Sequence, residues 1–132
     1  MELISVPSLV KGVKLRGSLR KNVARDQLVQ ALSDRIKLAF SASLALLTHN
    51  LSLILLISRC IRNSGADKYD LDEEEILLLI MSKLFPDSMN GQALDDIRSQ
   101  YQVLVEHNLI RKINLLTRSY YWLFPSQKKE LY

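Results

Sequence analysis

Residues Leu94 to Pro125 read LDDIRSQYQVLVEHNLIRKINLLTRSYYWLFP. The first part has the period of a helix. Leu94, Ile97, Tyr101 and Leu104, with Val105 beside them, fall three or four apart and form one apolar stripe, so a helix is expected from about Ala93 to His107. Asn108 is a stop signal. The pattern then changes. Leu109-Ile110 opens a strand, continued as Ile110-Arg111-Lys112-Ile113. Tyr120 to Phe124 is a second strand, rich in aromatics with strong strand propensity. Asn114 to Ser119 would connect them. A helix followed by a two-stranded β-hairpin is therefore expected to end the chain.

Moving towards the amino terminus, Asp72 and Glu75 have capping-box spacing, and the acidic run that includes them suits the positive end of a helix dipole. The helix continues through Ile76, Leu77, Leu78, Leu79, Ile80, Met81 and Leu84, and Phe85-Pro86 stops it. Residues 86–92 read as a loop or a very short helix. The run Asp70, Asp72, Glu73, Glu74, Glu75 lacks the central glycine and alternating ligands of a calcium loop, so its expected role is structural.

The string from Leu94 to Pro125, with its Glu106-His107-Asn108-Leu109-Ile110 turn, resembles the end of a winged helix-turn-helix domain. The resemblance covers about the last 60 residues of the chain, from about residue 70 to 125. It implies that the helix from Ala93 to His107 is a recognition helix and that the hairpin is the wing. It departs from the family where only about seven residues stand in place of a complete short preceding helix. If the module binds DNA as the family commonly does, Arg98 and Gln102 face base edges, and Arg111, Lys112 and Arg118 face phosphates.

The amino-terminal half reads differently. An apolar stretch from Met1 to Val10 precedes the bases Lys11, Lys14, Arg16, Arg20 and Lys21, an order opposite to that of a secretion signal. Residues 1–21 are expected to form a basic arm. Ser18 or Asn22 would cap a helix whose stripe is Val23, Leu28, Leu32, Ile36 and Phe40. Residues 38–58 then pass without a charge, bracketed by Lys37 and Arg59. Seven polar residues, from Ser41 to Ser58, weigh against a membrane span. The expectation is one long apolar helix, or two broken near His49-Asn50. A helix apolar nearly all round must be buried. Residues 38–62 are thus expected to pair with a second copy of the chain through Leu44, Leu47, Leu51 and Ile54. Asn63-Ser64-Gly65 ends this region, and residues 64–72 form a polar connection.

The expected fold class is therefore mainly α. A helical amino-terminal half with a long apolar helix (22–65) precedes a winged-helix module with a two-stranded wing (66–132).

Composition agrees with a small core-forming chain. It has 132 residues, 48% of them hydrophobic, with 4 glycines and 3 prolines. The single cysteine, Cys60, excludes an internal disulfide, and two distant histidines do not form a metal cluster. A reducing, cytoplasmic setting is expected (nucleoid or nuclear for a DNA-binding chain). Charge is blocked: residues 1–37 carry eight bases and three acids, residues 67–96 two bases and nine acids, and residues 97–132 six bases and two acids. There is no phosphate-binding glycine loop and no nucleophile–base pairing, so no enzyme and no cofactor are expected. The leading expectation is a dimeric DNA-binding regulator, the second a protein-interaction adaptor using the acidic patch, and the third a membrane-associated chain. One tension stands within the first. Asp95 and Asp96 begin the helix that should approach DNA most closely.

Overall fold

The computed structural model of the chain describes residues 17–40 and 51–111. They form α1 (Gly17–Ala39), α2 (Leu51–Asn63), a 3-10 turn (Ala66–Tyr69), α3 (Glu73–Leu84), α4 (Gly91–Glu106) and a closing 3-10 turn (Leu109–Arg111). No strand occurs among the described residues.

The core is one cluster drawn from every helix. Leu28, Leu32 and Ile36 of α1 meet Ile54, Ile57 and Ile61 of α2, Ile76, Leu77 and Ile80 of α3, and Ile97 and Leu104 of α4. The central element is α3, packed against α1, α2 and α4 in turn. That explains its sequence. A helix touched on three sides is apolar on more than one face, as the run from Ile76 to Met81 is.

α1 starts earlier than its cap signals suggest. Ser18 and Asn22 both lie inside it, and its buried face takes in Ala24, Val29 and Ser33 with Leu28, Leu32 and Ile36 of the expected stripe, while Val23 and Phe40 are half-buried. Of the expected apolar region 38–58, the described residues show the two edges. α1 ends at Ala39, Leu38 stands 82% exposed, and α2 begins at Leu51, just past His49-Asn50. Residues 41–50 lie outside the described residues. No helix among the described residues is long and apolar enough to cross a membrane.

Between α2 and α3 the chain makes a compact corner. Gly65 and Asp70 flank the 3-10 turn, both left-handed, with φ of 79° and 57°. Glycine suits the first position because it has no Cβ to clash there. Ser64 and Ala66 are buried, so this connection is partly core.

The expected β-hairpin wing requires correction. Asn108 does stop α4, in the left-handed conformation (φ 53°). Leu109 to Arg111 then coil into a 3-10 turn that buries Ile110, where the first strand was expected to open. The β-branched pattern is overridden because Ile110 fills the core beside α2 and α4 rather than pairing in a ladder. A mainly helical chain stands; the winged-helix fold with its two-stranded wing does not. The remainder of that expectation, residues 112–132 with the connecting wing and second strand, lies outside the described residues.

Candidate functional site

The most organised polar feature is the amino terminus of α3. Asp72 is its cap, in extended conformation, accepting hydrogen bonds from the backbone N–H of Glu74 (3.0 Å) and Glu75 (3.5 Å). Only half of the expected capping box forms, because Glu75 turns away to Arg25. The three glutamates that follow the cap each engage an arginine from a different helix. Arg62 of α2 donates to Glu73 from Nε (2.7 Å) and Nη2 (3.3 Å). Arg98 Nε of α4 lies 2.9 Å from Glu74 Oε1, an ion-pair contact. Arg25 Nη1 of α1 donates to Glu75 Oε1 at 2.7 Å. Just upstream, Lys21 Nζ of α1 donates to Asp70 Oδ2 at 2.7 Å. The acidic run is therefore a junction that ties three helices to the fourth.

The Glu73 arm is the most protected. The Arg62 side chain is 34% exposed and that of Glu73 17%. The Tyr101 hydroxyl, from α4, donates to the same carboxylate. Burial, and then the bond to Glu73, push the Tyr101 phenol far above its ordinary range. Glu73 likewise raises the Arg62 guanidinium by accepting its hydrogen bonds, so both groups stay protonated at any ordinary pH. Lys21 beside Asp70 holds that carboxyl below the usual range. The ion pairs carry charge, the neutral phenol donates a hydrogen bond, and together they hold position. Nothing in their arrangement presents a nucleophile to solvent.

Cys60 is buried, and burial pushes its thiol far up, which suits an inert core group. No group of histidine, cysteine, aspartate and glutamate side chains among the described residues is arranged to hold a metal ion.

The residues expected to read DNA separate on this frame. Arg98 is outward on α4, but it is held by Glu74 and by Asp95, whose Oδ1 lies 3.4 Å from Nη1. Gln102 is exposed. Arg20 is exposed, while Lys21 is bound to Asp70. Arg111 ends the last 3-10 turn. Lys11, Lys14, Arg16, Lys112 and Arg118 lie outside the described residues. So do Leu44 and Leu47 of the expected pairing surface. Its other two members diverge: Leu51 is 46% exposed at the start of α2, whereas Ile54 is fully buried in the chain's own core.

α4 presents Asp95, Asp96, Ser99, Gln102 and Glu106 outward, as the periodicity implies, and adds Val103, which is 47% exposed, and Val105, which stands 44% exposed rather than in the expected apolar stripe. What the sequence did not reveal is the set of partners gathered by the α3 terminus. Capping chemistry marked its position; the bases come from residues up to 50 positions away, and no local pattern encodes them. No family model, curated protein or solved structure matches the chain.

Proposed function

We propose that this chain is a non-enzymatic helical adaptor that binds another protein through the outward face of α4. The observation that carries this reading is the state of Arg98. Arg98, the one cation among the described residues of α4, is engaged by Glu74 and by Asp95, which leaves Asp96, Gln102, Val103, Val105 and Glu106 as the unengaged surface of the helix. An acidic, polar face around two exposed valines is repelled by a phosphate backbone and complements a basic protein surface. The buried, unpaired thiol fits a reducing compartment, and we place the activity in the cytoplasm.

The test is purification of the tagged full-length chain with its bound protein from its own cells. Asp95→Lys with Asp96→Lys should release that protein while circular dichroism stays unchanged. If the partner is retained, the α4 face is not the contact.

Charge distribution favours a second reading, DNA binding by the ends of the chain. The described residues hold eleven bases and twelve acids, a net of −1. The remaining segments hold seven bases and two acids, a net of +5. A duplex would be gripped through its phosphates by the arm containing Lys11, Lys14 and Arg16 and by Lys112 and Arg118. Anisotropy titration against salt separates the two readings. Under end-led binding, alanines at Lys11, Lys14 and Arg16 flatten the salt dependence, while Arg98→Gln and Gln102→Ala leave it unchanged. Pairing of two copies belongs to this second reading, and light scattering at micromolar concentration tests it.

A further inference from the structure

The pair Asn90-Gly91 stands at the start of α4. Asn90 is exposed, and its Oδ1 accepts a hydrogen bond from the Ala93 N–H at 2.9 Å. Gly91 is the first helical residue, so its own N–H has no intrahelical acceptor. Packing does not require glycine there. Its backbone is not left-handed, and a Cβ built on it would meet no atom within 4 Å. Within a helix, glycine is also less stable than alanine. What glycine does supply is an unobstructed backbone nitrogen beside an asparagine amide.

We propose that Asn90 is a self-modifying site, losing its amide in the folded protein by attack of the Gly91 nitrogen. That nitrogen gives its proton to hydroxide and adds to Asn90 Cγ. A Cγ–N bond forms, and the carbonyl electron pair moves onto Oδ1. The Ala93 N–H already points at that oxygen, and the positive end of the α4 dipole lies behind it, so charge develops where a donor is in place. Collapse of the adduct breaks the Cγ–Nδ2 bond. Nδ2 takes a proton from water and leaves as ammonia. Water then opens the five-membered imide at one of its two carbonyls. Cleavage at the side-chain carbonyl gives aspartate. Cleavage at the main-chain carbonyl gives isoaspartate, in which the chain runs through the former side-chain carbon. The proton that Nδ2 takes from water returns the hydroxide used in the first step, so water is the only net co-reactant. The backbone must rotate from the ψ of 177° at Asn90 to bring the nitrogen over Cγ, and no side chain at position 91 obstructs that approach.

The two products differ in consequence. Aspartate caps a helix as well as asparagine does and adds negative charge where the dipole favours it. Isoaspartate displaces the capping oxygen and frees the first turn of α4, beside Asp95 and Asp96.

The experiment is timed incubation of the native full-length chain at mildly alkaline pH, followed by digestion and peptide mass spectrometry. The expected result is a steady amide-to-acid mass gain in the peptide holding residue 90, part of it as isoaspartate. Gly91→Ala should lose that gain while its circular dichroism matches the parent. Three results would overturn the proposal: no gain at residue 90 in the native chain, an equal gain in Gly91→Ala, or a gain that appears only after unfolding in urea.

Discussion

At the scale of single residues, Glu73 carries the most weight. One carboxylate accepts from Arg62 and Tyr101 while mostly withdrawn from water. Removing it strands two donors. Glu73→Ala should cost about 2–3 kcal/mol in urea unfolding, more than an exposed pair would. Tyr101→Phe, which removes one bond and leaves the ion pair, should cost about 1 kcal/mol. The serines give the opposite expectation. Ser33 and Ser58 are fully buried, and neither hydroxyl has a hydrogen-bond partner among the described residues. Ser58→Ala removes an unsatisfied polar group and improves helix propensity, so it should raise the urea midpoint by an amount worth about 1 kcal/mol. A fall instead would show that the hydroxyl is satisfied. Neither serine was legible from sequence, since a serine in an amphipathic helix reads as solvent-facing until packing places it. The outward position of Arg98 was legible; its capture by Glu74 was not, because that depends on how α4 crosses α3.

At the scale of elements, local signals located α3 and α4 well. Asp72 caps one and Phe85-Pro86 closes it; Asn108 ends the other. Asp72→Ala should destabilise by about 1 kcal/mol and Asp72→Asn by much less, since asparagine offers the same oxygen to the Glu74 N–H. Circular-dichroism melts of the two variants separate capping from charge. The hairpin expectation fails for a physical reason. Residues after Asn108 have strand-like composition, but a left-handed residue redirects the chain and Ile110 finds a place in the core before any ladder begins. The corner before α3 also has a pH signature. The Lys21 ammonium lowers the Asp70 carboxyl, so that contact is complete above the ordinary aspartate range and is lost as pH falls through the lowered folded value. Lys21→Met should move the Asp70 titration, followed by NMR, back up to the ordinary range.

At the scale of the molecule, three ion pairs share the α3 terminus and a fourth, Lys21–Asp70, lies just before it, and salt weakens such contacts where they are exposed. Raising sodium chloride should lower the melting temperature until the exposed Lys21–Asp70 and Arg25–Glu75 pairs are screened, then level off as the sheltered Arg62–Glu73 pair persists. A continuous fall would mean that the sheltered pair is screened too. The mainly helical character was readable because periodicity is local; the single shared core was not, because it joins residues on both sides of a polar connection. One further result follows from the spacing of Lys21 and Arg25. The apolar side chains of α1 recur each turn, so sliding that helix along α3 by one turn, about 5.4 Å, would still bury leucine against leucine. Hydrophobic contact alone is nearly degenerate under such a slip. The two cations, four residues apart, break the degeneracy. After a slip Arg25 would stand at Asp70, and Val29, now buried, would face the Glu75 carboxylate. The salt bridges thus act less as glue than as registration marks, selecting one alignment from several that the greasy interface would accept.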